Sequence, residues 1–285
     1  MAYTIELAGQ TFFGGEDTSG KYWLADGLSG WFDGAENRVK VDAIPGQHGG
    51  FQPSSVLANP RAIEFQGAYV ASSAAVAEAW TRDWVAGLSF RNGFDLTVTD
   101  LNGPLTSKVW VQGKPLVKRI SDRACRFSLP LIAPDPIRYG AARTLVKPAA
   151  YIVSDGLTYP LTYPLSYGTM SAATLSGYIQ LENAGTAPVY PTWRVAGPIA
   201  TGFTITSDGY TITFNRALAA GEVVSFGPTA GGRAILQDGS DVSVYLTQAQ
   251  WVQVPAGGQR GFVFSPLGSA VGGSYCEATI KDGWF

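Results

Sequence analysis

The sequence predicts a mainly β protein built from two sheet domains, the first carrying a single α-helix. Three observations predict it. Short runs of alternating apolar and polar residues recur along the 285 residues, the mark of half-buried strands. Gly 35 and Pro 17 punctuate those runs as turn residues do. One stretch alone, Ala71–Gly87, repeats its apolar residues at helical spacing. A chain of this length fits one large or two ordinary domains.

Taken in order, Tyr3, Ile5 and Leu7 alternate and start a strand that Gly9 ends. Gly14–Gly20 has the composition of a loop, Tyr22–Leu24 is a short apolar run, and Trp31-Phe32 runs into an Asp33-Gly34 turn. Arg38-Val-Lys-Val-Asp42 alternates cleanly, and Ile63 and Phe65 make a strand of Arg61–Gly67. In the helix, Ser72 or Ser73 supplies the cap. Val76, Trp80 and Trp84, with Ala77 beside them, form one core-facing stripe, and Gly87 is the stop. Asp95–Asp100 and Leu105–Val111 flank Leu101-Asn-Gly-Pro104, a strong hairpin signal. Phe127, Leu129 and Leu131 point one way in a last strand. Pro134 and Pro136, flanking Asp135, remove ladder donors and force the chain out of the sheet as a stiff elbow.

The expected organisation is therefore a domain over 1–140, a connector over 141–177 and a second domain over 178–285. The connector holds Tyr159, Tyr163 and Tyr167 with Pro160 and Pro164, which reads as an extended arm lying either across a neighbour or on its own domain. Beyond it, strands are expected at Tyr178–Glu182, Pro191–Val195, Phe203–Thr206, Tyr210–Phe214, Gly221–Phe226, Ala234–Gly239, Val242–Tyr245, Gly261–Phe264 and Cys276–Ile280. Their even spacing suits a β-sandwich.

Charged residues are only 15% of the chain, against about 25% in an average domain. Much of the surface is then neutral or apolar, as in a chain hidden in an assembly, or in a Thr-, Ser- and Gly-rich sandwich. The net charge of −2 excludes a basic nucleic-acid binder in bulk. Lys108, Lys114, Lys118, Arg119, Arg123 and Arg126, opposed only by Asp122, form either a basic wall or a solvated hairpin face. No aromatic residue interleaves positions 114–126, which favours the solvated face. Cys125 and Cys276 are too few and too far apart for a disulfide framework and suit a reducing compartment, Cys125 as a small buried hydrophobe. The first residues lack the pattern of an export signal, and no apolar run is long enough to span a membrane.

Chemistry is sparse. His48, the single histidine, lies in Pro45-Gly-Gln-His-Gly-Gly50, where glycines supply backbone geometry; it has no second histidine or cysteine at ligand spacing, and the loop has no lysine for phosphate. No Gly-x-Ser-x-Gly elbow is present. Asp238 and Asp241 bracket a turn, where aspartate is ordinary. Two acids meeting from separate strands stay open as a glycosidase pair. Trp193 and Trp251 are candidates to stack a sugar ring, although Trp193 alternates with Val195 as a core residue does. The expectation is no catalytic residue, no metal, no cofactor and no enzymatic activity.

The stretch Phe127-Ser-Leu-Pro-Leu-Ile-Ala-Pro-Asp-Pro-Ile-Arg-Tyr-Gly140 resembles the end of the first domain in distal tail proteins of long-tailed siphovirus-type phages, called minor tail proteins in phages of actinobacteria. Ile44–Gly50, Arg61–Gly67 and the repeat Leu157-Thr-Tyr-Pro-Leu-Thr-Tyr-Pro-Leu165 agree, in order, over nearly the whole chain. The resemblance implies a β-barrel- or sandwich-like ring-forming (belt) domain followed by a galectin-like or carbohydrate-module-like sandwich. It implies a virion protein of the tail tip, assembled in the host cytoplasm as a six-membered ring. Such a ring contacts the tail tube protein, the hub, the tape-measure protein and receptor-binding proteins, and DNA passes through it without specific binding. A carbohydrate-binding tail module is the alternative.

Overall fold

The computed structural model describes residues 3–14, 19–53, 56–88, 92–149, 177–228, 231–268 and 273–285. Most of the Gly14–Gly20 loop and all of the Tyr/Pro repeat lie outside the described residues. The chain forms two compact units, Met1–Gly140 with Trp284–Phe285, and Ala141–Gly283.

In the first unit the strands are β1 (Thr4–Leu7), β2 (Gln10–Phe13), β3 (Lys21–Ser29), β4 (Asn37–Arg38), β5 (Leu57–Ala58), β6 (Arg61–Val70), β7 (Phe94–Asp100), β8 (Gly103–Val111), β9 (Leu116–Arg119), β10 (Ala124–Ala133) and the start of β11 (Arg138–Pro148). Seven of them close a barrel in the order β1-β2-β3-β6-β10-β8-β7. Every pairing is antiparallel except β2 with β3. Closure is shared along β10: Leu131 and Ile132 pair with β8, whereas Cys125–Ser128 pair with β9, which is left at the sheet's end. The period-2 pattern explains the register. Ile5, Leu7, Phe65, Leu96, Val98, Phe127, Leu129 and Leu131 all turn inward, where they fill the barrel with Phe12 and Trp31. The Asn-Gly turn joins β7 to β8 as the sequence predicts, with Asn102 N–H donating to Asp100 Oδ1 at 2.7 Å and Gly103 at φ +108°.

The helix is shorter and less regular than expected. Ser73 caps α1 (Ala74–Trp80) by accepting from Val76 N–H. The backbone then widens to a π-helical stretch, Thr81–Val85, and finishes as α2 (Ala86–Leu88), one residue past Gly87. The wider turn changes the stripe: Trp84, Val85 and Leu88 enter the core and Val76 faces solvent at 42% exposure. Trp80 and Trp84 stack at 4.8 Å, and Trp84 meets Phe12 and Phe127, so both tryptophans are core anchors.

The expected strand over Arg38–Asp42 does not form as such. Only Asn37–Arg38 pairs, with Leu57–Ala58, and an isolated bridge joins Ala43 to Gly50 further out. This segment is a hairpin outside the barrel, on which Val39 and Val41 stay exposed.

In the second unit the strands are the rest of β11 with β12 (Tyr178–Asn183), β13 (Thr192–Ala196), β14 (Phe203–Ser207), β15 (Tyr210–Phe214), β16 (Val223–Phe226), β17 (Ala234–Leu236), β18 (Leu246–Ala249), β19 (Gly258–Pro266) and β20 (Tyr275–Trp284). One sheet runs β11-β20-β13-β16-β17 and the other β12-β19-β14-β15-β18. Ala141–Pro148, expected as the start of the connector, is thus strand: Thr144 Oγ1 meets Thr279 Oγ1 at 2.9 Å and Arg143 reaches Asp282 at 2.5 Å. The expected strand Val242–Tyr245 is instead a 3₁₀ turn, Ser243–Tyr245. It leaves Val244 81% exposed, and the strand comes just after it, as β18. Phe203 stacks on Phe214 and Phe226, and Trp193 meets Phe262 edge-on, filling the space between the sheets.

Candidate assembly surface of the barrel unit

The polar architecture of the barrel unit centres on Arg61, the first residue of β6 and 3% exposed. Its Nε donates to Pro136 O at 3.1 Å; Nη1 donates to Gly30 O at 2.9 Å and Asp33 O at 2.6 Å, with Trp31 O at 3.5 Å. One guanidinium thus ties together the root of the outer hairpin and the proline elbow. Burial pulls the Arg61 pKa down and neighbouring Arg138 pulls the same way, with Asp33 opposing; the group stays cationic because arginine starts so high. Arg138 adds a bond from Nη1 to Trp31 O at 2.6 Å and one from Nη2 to Phe285 O. Tyr139 hydroxyl donates to Asp135 Oδ2 at 2.7 Å; burial, then that carboxylate, pushes the phenol well above its usual range. The elbow predicted from Pro134 and Pro136 is therefore a bonded corner. Its arginine partners were invisible in the sequence because Arg61 and Arg138 look like ordinary strand cations.

Two features of this unit face solvent with apolar side chains. The first is the outer hairpin, where Val39, Val41, Phe51, Val56 and Leu57 are all exposed. The second is β9, every residue of which is exposed, with Leu116 and Ile120 beside the cations Lys118 and Arg119. The cations of the basic segment point into solvent. Lys114, Lys118, Arg119, Arg123 and Arg126 are exposed, Arg119 pairs with Glu78 at 2.9 Å, and Lys108 Nζ lies 5.9 Å over the Trp110 ring.

The remaining candidates do not converge. His48 sits exposed near the tip of the hairpin, in the turn closed by Ile44 N–H donating to Gly49 O at 3.3 Å. Trp193 is buried. Trp251 is half-buried beside Tyr190, Tyr210 and Gln250, around a space of about 10 Å³, the room of a single water. Asp238 accepts from Ser240 N–H at 2.9 Å and Asp241 from Ser243 N–H at 2.9 Å; these bonds hold both carboxyls below their usual range and occupy them as turn caps. Among the described residues no group of three acids, histidines or cysteines is placed to hold a metal, and no helix is long and apolar enough to cross a membrane.

The whole architecture recurs in solved structures. The SPP1 Dit (gp 19.1) protein, described as a paradigm of the hub adsorption apparatus in phages infecting Gram-positive hosts, superposes with a TM-score of 0.63 at 16% identity; the match covers 98% of each chain. Chains of the phage P2 baseplate in its activated conformation match with TM-scores of 0.51 (with Ca, 12% identity) and 0.50 (with Sr, 11% identity), each covering 93% of this chain and 98% of theirs. No protein-family model matches the sequence, and no curated protein matches it. The chain therefore has the fold of phage hub and baseplate chains, both units in order.

Proposed function

We propose that the chain is a structural protein of a phage tail tip, of the distal tail class, whose barrel unit builds a ring joining the tail tube to the tip proteins. The observation that carries this reading is the end-to-end match to a phage hub protein, with both units present in the same order. The charge-poor composition and the apolar side chains left in solvent on the barrel unit suit a surface meant for identical neighbours. Six copies per ring, an origin in a phage of actinobacteria, docking to tube, hub, tape-measure and receptor-binding proteins, and passage of DNA without sequence reading follow from the sequence resemblance as parts of the same proposal. So does a virion location; the absence of catalysis is proposed from the lack of a catalytic constellation in the sequence. The carbohydrate-binding alternative rests on the aromatic residues of the second unit: Trp193 is buried, and Trp251 lies half-buried beside Tyr190 and Tyr210.

Size-exclusion chromatography with light scattering tests the reading. A concentration-dependent oligomer of several copies is expected, together with the protein at the tail tip in labelled images of particles. A chain that stays monomeric at every concentration and is missing from particles would overturn it.

A further inference from the structure

The barrel unit holds two unmet demands, and they fit each other. The first is the hairpin spanning residues 37–58. Among the described residues its own backbone pairing amounts to β4 with β5, Asn59 N–H to Glu36 O at 2.8 Å below them, and, further out, Phe51 N–H to Asp42 O at 2.9 Å, the Ala43–Gly50 bridge and the tip bonds Ile44 N–H to Gly49 O and Gln47 N–H to Ile44 O, both at 3.3 Å. Not one of its described residues is buried. A lone two-stranded ribbon is marginal in water. Yet Arg38-Val-Lys-Val-Asp42 carries the pattern of a strand with one covered face, and Val39 and Val41 stay 42% and 59% exposed.

The second demand is β9. Among the described residues it ends the barrel's sheet, hydrogen-bonded to β10 on one side, and an apolar edge left open is a template for another strand. Leu116, Val117 and Ile120 are exposed along it, with Val70 at the neighbouring end of β6.

Within one chain the root of the hairpin and β9 lie at different heights along β10, with Leu116 opposite Ser128 at the nearer end of β9. The hairpin is rooted at Arg61, which lies opposite Ala133 on β10, whereas Arg119 of β9 lies opposite Cys125. Those positions on β10 are roughly 27 Å apart at strand rise. The area is sufficient for a specific contact. From their fractional exposures the five apolar hairpin residues offer about 450 Å², and the edge with Val70 and Val76 offers about 400 Å². At the usual apolar share this corresponds to about 1,400 Å² of total interface, within the standard range. The contact is apolar rather than ionic: the hairpin's one acid, Asp42, is paired with Lys40 at 3.1 Å, and the cations Lys114, Lys118, Arg123 and Arg126 of the edge run stay at its rim.

We infer that the hairpin of one copy docks along the free edge of β9 in a second copy, adding a strand to its barrel sheet. Hairpin and edge are different surfaces, so the contact is head-to-tail and repeats from copy to copy until it closes. The inference rests on the self-assembly proposed above and names the surfaces that perform it.

Two measurements test it. Val41→Cys and Val117→Cys variants are oxidised mildly, alone and mixed; Cys125 and Cys276 are buried and serve as a silent background. A disulfide-linked dimer is expected in the mixture and not in either variant alone. Linkage within Val41→Cys alone, or none in the mixture, overturns the inference. In a second variant, residues 37–58 are replaced by a short Gly-Ser turn, and thermal melting verifies that the barrel still folds. This variant is expected to stay monomeric where the full chain assembles. If it assembles to the same mass as the full chain, the hairpin contact is wrong and the ring proposal survives. If the full chain never assembles, both fall together.

Discussion

Replacing Arg61 with Ala removes the one side chain that ties hairpin root to elbow. Three of its contacts have good geometry: those to Pro136 O, Gly30 O and Asp33 O at 3.1, 2.9 and 2.6 Å. Bonds from a charged donor contribute about 1.5 kcal/mol each at the low end, which suggests roughly 4.5 kcal/mol for the set. Two effects offset part of this. The cavity left by Ala admits water, which rebonds some of the carbonyls, and a cation buried next to Arg138 is removed. The net expectation is a loss of about 3 kcal/mol, or about 10 °C in the melting temperature of the barrel unit at the slope usual for a domain of this size. Differential scanning calorimetry reads the melting, and hydrogen exchange reads its location: protection is expected to fall first around Gly30–Asp33 and the elbow. Arg61→Lys keeps the charge but cannot fan out to three carbonyls, and is expected to fall between the two. A shift under about 2 °C for Arg61→Ala, below 1 kcal/mol on the same slope, would refute the view that this guanidinium organises the corner.

Two further outcomes are expected in the second unit. Asn183 is 1% exposed; its Nδ2 donates to Ala187 O at 2.8 Å and Pro255 O at 3.2 Å, and its Oδ1 accepts from Gly185 N–H and Gly283 N–H. Asn183→Ala should cost about 2–4 kcal/mol by chemical denaturation. Asn183→Asp should cost as much or more at neutral pH, because it turns a donor facing carbonyls into a charged acceptor. Burial opposes ionisation of Glu222, but a bond from Ala219 N–H at 3.0 Å and the Arg216 guanidinium at 2.7 Å outweigh it and hold the carboxyl below its ordinary value. A depressed folded-state value means the contribution is complete above the unfolded value of about 4.3 and is lost as pH falls through the lower folded one. The melting advantage of the native chain over Glu222→Gln should therefore be flat from pH 7 to 5 and shrink on further acidification; an advantage that grows toward acid would contradict the assignment.

The sequence carries most of the strand inventory, because a half-buried strand writes its register into every second residue. Phe127, Leu129 and Leu131 read as one face and are one face. Local chemistry was equally legible at the Asn102-Gly103 turn and the Ser73 cap. What escaped depends on partners far along the chain. Arg61 and Asn183 look like surface residues in any local window, yet each collects backbone groups from several segments. The π-helical stretch over Thr81–Val85 escaped because helical periodicity assumes a constant turn, and here Trp80 and Trp84 have to stack together against Phe127. Val242–Tyr245 alternated like a strand, but Ser243 N–H is captured by Asp241 Oδ1 and its hydroxyl contacts the same oxygen, which turns the chain before the ladder can begin.

The misread strand at Arg38–Asp42 differs in kind from these. In Val242–Tyr245 a local hydrogen bond overrides the pattern and the exposed Val244 is a by-product. In the hairpin no such capture is found among the described residues: Val39 and Val41 alternate with Arg38, Lys40 and Asp42 and remain exposed. An alternating pattern that stays exposed in the single chain is the pattern that the contact between copies inferred above would use. Burying them against a neighbour's sheet edge would contribute about 0.8 kcal/mol per methylene equivalent removed from water, and a closed ring repeats that gain at every junction.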